Sequence, residues 1–262
     1  MDLRLDGRHA LVCGASQGIG RACAVELAQL GASVSVLARS AERLRELAET
    51  LPRTAGQHHG WRSVDMLDSR ALADAAIDLA AAAPIHILIN NTGGPPGGPI
   101  ALAEPEAFEA AFRQHLIAGQ VLAQAVLPGM RAAGYGRLVN VISTSVKEPL
   151  AGLGVSNTVR AAVAAWSKTL AGEVAADGIT VNNVLPGYTR TQRLDGLIAA
   201  RAERSGQSPE VIATAMLEGV PAKRFAEPAE IAAVAAFLCT PAAAYVNGAS
   251  ILVDGGRSRA LS

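Results

Sequence analysis

Ala10-Leu11-Val12-Cys13-Gly14-Ala15-Ser16-Gln17-Gly18-Ile19-Gly20 is the stretch whose reading decides the fold. The apolar run Ala10–Cys13 predicts a buried strand, which breaks at glycine and resumes as a helix from Ile19 to about Gln29. Gly14 permits the tight turn. Gly18 lets backbone approach a pyrophosphate, and Gly20 lets the helix pack on the strand. The start of the helix offers free N–H groups to phosphate. The spacing is G-x-x-x-G-x-G rather than G-x-G-x-x-G, with Ser16, Gln17 and Ile19 filling the loop. A glycine turn between any strand and helix looks similar, so the nucleotide-binding reading depends on the residues at the ends of the later strands.

Strand-like and helix-like segments alternate beyond this unit. Ser33–Ala38 reads as a β-rich run, followed by a charged helix from Ala41 to about Leu51. A weaker strand spans Trp61–Val64, and a helix begins at Asp68. Ile85–Ile89 is continuous and apolar, as a strand covered on both faces must be. One helix is expected from Pro105 to Arg131, a strand over Arg137–Ile142, and a long helix from Val155 to about Ala176. That last helix carries Val155, Val159, Ala162, Val163, Trp166, Leu170 and Val174 on one stripe. Thr180–Leu185 and Ile251–Val253 complete the strands. The alternation predicts one α/β domain over residues 1–262, a doubly wound, Rossmann-like parallel sheet with helices on both faces. Segment 191–224 is polar and helical with no strand after it. It reads as a substrate-loop insertion forming a lid, or as a solvated surface excursion.

The bulk numbers narrow the function classes. Half of the 262 residues are hydrophobic, enough for a sizeable core. Lys plus Arg and Asp plus Glu both total 23, so no basic balance points to nucleic acid or an anionic membrane. Cys13, Cys23 and Cys239 are isolated, which gives neither a disulfide framework nor a metal cluster and suits a reducing cytoplasm. No signal-peptide pattern opens the chain, and no apolar run is long enough to span a bilayer. His58 and His59 are expected on opposite faces of a strand at the surface, and His9 and His86 as ordinary strand residues. No metal site is predicted.

In a doubly wound sheet ligands lie beyond the carboxyl ends of the strands, so the residues after each strand are the candidates. Arg39 and Ser40 follow the second strand. They suit a 2′-phosphate, where an acidic residue would bond a ribose hydroxyl, so NADP(H) is expected over NAD(H). Asp65 and Met66 follow the third strand, where Asp65 suits an adenine amino group or serves only as a loop residue or helix cap. Asn90-Asn91-Thr92-Gly93-Gly94 follows the fourth, with small and amide residues that allow close backbone approach or a plain turn.

Gly14–Gly20, Asn90-Asn91-Thr92-Gly93, Ser143, Pro186-Gly187-Tyr188-Thr189-Arg190-Thr191 and Asp254-Gly255-Gly256 together resemble the short-chain dehydrogenase/reductase family. The likeness covers nearly the whole chain and is greatest to 3-oxoacyl-carrier-protein reductases. The resemblance implies NAD(P)(H) over Gly14–Gly20, with Asn91 and Gly93 near the adenosine and Pro186, Gly187 and Thr189 near the nicotinamide carboxamide. It also implies a small-molecule substrate, free or carrier- or CoA-linked, and a homo-oligomer, a tetramer or dimer that pairs the long helices.

The chain departs from that family's pattern where the chemistry sits. The family uses a serine, a tyrosine thirteen residues later and a lysine four beyond. Here Ser143 is in place, but Ser156 and Arg160 occupy the other two positions. The family's asparagine on an earlier helix corresponds to His115. A phenol starts near pKa 10 and a cation brings it towards working pH, whereas an aliphatic hydroxyl starts far higher. Ser156 is also one ring shorter. Arg160 still bonds a ribose diol but cannot lose its proton. No tyrosine lies between Tyr135 and Tyr188, so no shift of register supplies the phenol. Three substitutes stand nearby. Tyr188 is a pocket wall or an acid. Lys147 is a surface ion pair with Glu148 or a substrate contact. His115, with an ordinary pKa near 6.5, is a packed histidine or a base.

Three functions are expected on these grounds: an NADP(H)-dependent oxidoreductase acting on a carbonyl or hydroxyl group by an atypical proton route, a cofactor-binding protein without redox turnover, and a non-redox isomerase or lyase reusing the pocket. The loop Gly93–Pro99 is stiff and kinked and is expected to shape the entrance.

Overall fold

The apolar runs become strands because alternate residues point to opposite faces, and both faces are covered. A computed structural model describes residues 1–261. Its strands are β1 (His9–Cys13), β2 (Ser33–Ala38), β3 (Gly60–Ser63), β4 (Ile87–Asn91), β5 (Gly136–Val141), β6 (Ile179–Pro186) and β7 (Ser250–Val253). They form one sheet in the order β3-β2-β1-β4-β5-β6-β7, parallel at every pairing. The order reverses between β1 and β4, which opens a crevice at their carboxyl ends.

The helices are α1 (Gly18–Gln29), α2 (Ala41–Thr50), α3 (Ser69–Ala82), α4 (Pro105–Phe112), α5 (Ala118–Ala133), α6 (Gly154–Val174), α7 (Gln192–Ser205), α8 (Pro209–Glu218) and α9 (Pro228–Leu238). One face of the sheet, with Val12, Val36, Ile89 and Val139, packs on Leu27, Leu47, Ile231 and Ala235 of α1, α2 and α9. The other, with Leu11, Leu37, Leu88 and Leu138, packs on Leu72, Leu122, Met130 and Ala171 of α3, α5 and α6. Each fully buried aliphatic side chain contributes roughly 1.5–3 kcal/mol, so this double-sided burial is the main stabilising term.

Four differences from the sequence reading have physical causes. Residues 90 and 91 are the last of β4, paired with Asn140 and Val141, rather than the turn after it. The buried amide of Asn90 donates to Asn140 Oδ1 at 2.9 Å, so a polar side chain continues an apolar strand. The expected helix 105–131 is split by a π-helical turn at Arg113–Ile117, a local widening that single-sequence periodicity does not register. α9 is additional to the sequence reading, because its alanines draw no sharp apolar stripe although Ile231, Ala232, Ala235 and Leu238 are buried. His59 stands ahead of β3 rather than within it, accepting from Val34 N and facing Pro52 O at 2.9 Å.

Segment 191–224 forms α7 and α8 around a small core of its own, Leu194, Ala202, Ile212 and Met216, which closes on Phe225 and Tyr188. It is a packed helical pair. No helix among the described residues is long and apolar enough to cross a membrane.

Candidate active site

A cleft of about 960 Å³ opens at the carboxyl edge of the sheet. Its floor is the glycine turn. Gly14 adopts a left-handed φ of 60°, and a Cβ there would collide with the carbonyl oxygen of Asn91. A Cβ on Gly20 would strike the Gly14 carbonyl. The Asn91 amide donates to Gly14 O at 3.3 Å and so braces the turn. The Gln17 side chain makes no capping bond, and no acidic side chain occupies the first turn of α1. The first N–H groups of that helix are therefore left to an anion in the cleft. This backbone cradle, with no room for a Cβ at its turn, fits a dinucleotide.

The structure gathers most of the predicted residues. Gly14, Ser16, Gln17, Gly18, Ile19, Asn91, Thr92, Gly93, Ser143, Ser156, Arg160, Pro186, Gly187, Tyr188 and Thr189 border the cleft. The aliphatic side chains of Leu150, Leu153 and Leu197 line it as well. Other predicted residues stand apart. Arg39 is exposed, accepts at its carbonyl from Ser63 Oγ, and is not on the wall; neither is Ser40. Asp65 turns its carboxylate onto Leu67 N at 3.0 Å. Met66 is buried and lines a separate small cavity. Lys147 caps a short helical turn after Ser143, off the wall, and forms no ion pair with Glu148.

His115 also lies off the main wall. It sits in the π-turn and borders a cavity of about 10 Å³ with Met66, Asn90, Thr92 and Asn140. Its Nδ1 is hydrogen-bonded to the Thr92 hydroxyl, and its buried Nε2 has no partner. Burial, with the charges of Arg160 and Arg193, pushes its pKa down to about 3. It is neutral at working pH.

The side of the cleft facing the glycine turn belongs to α6 and the loop before it. Ser143 Oγ accepts from Ser145 N at 3.0 Å, which leaves its proton to donate. Ser156 is buried one helical turn before Arg160. Arg160 is 7% exposed and donates through Nη1 to Val141 O at 3.0 Å. Burial and the nearby Arg193 push its guanidinium down to about 10, still charged at neutral pH. Tyr188 packs edge-on against Phe225 and under the Arg257 guanidinium, 4.8 Å away. Among the described residues it is the only tyrosine on the cleft wall, which holds no lysine.

Several cleft residues lie outside the sequence-based candidates. Arg43 donates to Gln17 Oε1 at 2.9 Å across the mouth of the cradle. Arg193 donates to Pro95 O at 2.6 Å, joining α7 to the proline-rich loop. Arg21, Arg190 and Arg257 also border the cleft, where the acids are Glu26, Glu46 and Glu227. Six arginines thus face three glutamates. The one signal for them in the sequence is the pair Arg190 and Arg193 just after a strand end, where the stretch that reads as a lid begins.

A family model described as enoyl-(acyl carrier protein) reductase matches residues 14–258. The chain belongs to the short-chain dehydrogenase/reductase family. It is 31% identical to the 7alpha-hydroxysteroid dehydrogenase of Escherichia coli K12, over 97% of this chain and 96% of that one. It is 33% identical to a 3-oxoacyl-[acyl-carrier-protein] reductase of Pseudomonas aeruginosa, over 97% and 98%. Among solved structures, the L-sorbose reductase of Gluconobacter frateurii, complexed with NADPH and L-sorbose, superposes with a TM-score of 0.92 at 32% identity over the whole of both chains. These short-chain relatives are oxidoreductases with different substrates, so the likeness carries the reaction class and not the substrate.

Proposed function

We propose that this short-chain dehydrogenase/reductase is an NADP(H)-dependent oxidoreductase that reduces or forms a carbonyl group without the family's tyrosine and lysine. The observation that carries the reading is the pairing, in one cleft, of an intact backbone cradle with Ser156 and Arg160 on the facing helix. NADP(H), when bound, supplies or accepts the hydride. The cradle would hold the pyrophosphate on the N-terminus of α1, with Asn91 and Gly93 along the adenosine side. Arg43, which borders the cradle, would favour a 2′-phosphate, the role the sequence suggested for Arg39 and Ser40. Pro186, Gly187 and Thr189, which border the cleft, would hold the carboxamide, and Arg160 would bond the ribose.

Ser143 and Ser156 donate hydrogen bonds to the substrate oxygen, and solvent supplies the proton. His115 is neutral and screened by Thr92, and Lys147 stands off the wall, so neither is the acid. Tyr188 is a wall, held between Phe225 and Arg257. Segment 191–224 covers the substrate. The exposed apolar side chains Phe112 and Ile77 support pairing with further copies of the chain, and the buried, unpaired thiols suit a cytoplasmic setting.

The test is NADPH absorbance during incubation with a panel of ketones, aldehydes and conjugated enones. Consumption with at least one compound is expected. Tight NADPH binding with no consumption across the panel would overturn the reading in favour of a cofactor-binding protein without turnover.

A further inference from the structure

Arg160 is a buried cation without a counter-ion. None of the four ion pairs among the described residues includes it, and its single hydrogen bond is to a backbone carbonyl. Arg193, itself exposed, is in no ion pair among the described residues either. Both guanidinium groups converge on Gly94. A Cβ there would lie 3.3 Å from Arg193 Nη2 and 3.6 Å from Arg160 Nη2. Glu227 is already paired with Arg190 at 3.0 Å, and Glu26 and Glu46 belong to α1 and α2 at the cradle end. Leaving a buried charge unpaired is strongly destabilising. A nicotinamide ribose offers only neutral hydroxyls, so its diol does not neutralise the buried Arg160 cation.

We infer that Arg160 and Arg193 form the carboxylate-binding subsite for an acidic substrate, next to the Ser143 and Ser156 hydroxyls. The inference rests on the proposed reading of the cleft as a hydride-transfer site. A guanidinium presents paired N–H groups that match a carboxylate, and two from different elements grip it from both sides. Ser156 and Arg160 are one helical turn apart, about 5–6 Å between side-chain bases. An acid whose carbonyl and carboxylate lie a few bonds apart, a short oxo acid or an unsaturated acid, would meet both groups from one face of α6. Arg193 also ties α7 to Pro95 O, so the anion is held where segment 191–224 meets the proline-rich loop.

The experiment is calorimetric titration of the intact protein, with and without NADPH, using benzoylformate and its uncharged methyl ester. The acid is expected to bind at least about tenfold tighter than the ester, about 1.4 kcal/mol. Arg193→Gln is expected to remove that preference, Arg193→Lys to restore part of it, and NADPH affinity in both variants to change by less than about threefold. Equal affinity for acid and ester, no binding of the acid, or an unchanged preference in Arg193→Gln would overturn the inference. NADPH binding is read separately from its fluorescence. If it fails, the hydride-transfer reading falls, while the acid-over-ester ratio on nucleotide-free protein still decides the anion site.

Discussion

The two sides of the cleft are built from different materials. The cradle between β1 and α1 is backbone: Gly14 and Gly20 leave no room for a Cβ, and Asn91 braces the turn. The facing side, Ser143, Ser156 and Arg160, is made of side chains on a helix and the loop before it, and that helix is held by Val155, Val159 and Val163 rather than by them. Changing the first side disturbs the fold. Changing the second alters chemistry and leaves the helix standing. On the proposed reading, that asymmetry lets a nucleotide cradle stand beside Ser156 and Arg160 in place of the family's tyrosine and lysine.

The largest effect is expected on the backbone side. Gly14→Val forces a β-branched residue into a left-handed turn against a carbonyl, and is predicted to cost at least about 3 kcal/mol with loss of NADPH binding, read by denaturation and fluorescence. A variant that melts and binds like wild type would break the contrast. On the other side, Ser156→Tyr with Arg160→Lys restores a phenol beside an amine and is predicted to raise diketone reduction about 100-fold with little change in melting temperature. No gain in rate would mean that the pocket has diverged beyond its proton donor.

A third variant sharpens the contrast through pH. His115 has a folded pKa of about 3, below the unfolded value near 6.5, so the unfolded chain binds the extra proton. The resulting stability is fully present above pH 6.5 and is lost as pH falls towards 3, on the order of a few kcal/mol. His9, His59 and His86, also lowered chiefly by burial, contribute in the same direction. His115→Asn is predicted to flatten, without abolishing, the fall in melting temperature between these limits; an unchanged profile contradicts the burial argument. The smallest effect is assigned to Tyr188→Phe, with turnover changed by less than about threefold, where loss of a general acid would cost at least about 100-fold.

The cradle is legible in the sequence because glycine is demanded by geometry wherever the turn is tight and the backbone crowded. The central strands are legible from their apolar runs, since burial on both faces leaves that trace, whereas edge strand β3 is mostly exposed and carries no such run. Ser156 and Arg160, thirteen and seventeen residues after Ser143, are equally legible, because side-chain identity is the sequence itself. What escapes depends on direction rather than identity. Arg193 and Arg43 look like any arginine of a charged helix until the fold turns them into the cleft. Arg39, Asp65 and Met66 sit after the right strands, yet the first is exposed, the second closes its own turn and the third is buried. α9 and the π-turn around His115 leave no sharp periodic mark.

The central claim is most directly tested by titrating the intact protein with NADPH and with NADH, following nucleotide fluorescence. Saturable binding is predicted, with NADPH preferred by about tenfold or more through its 2′-phosphate. A flat response to both nucleotides up to millimolar concentration would contradict it.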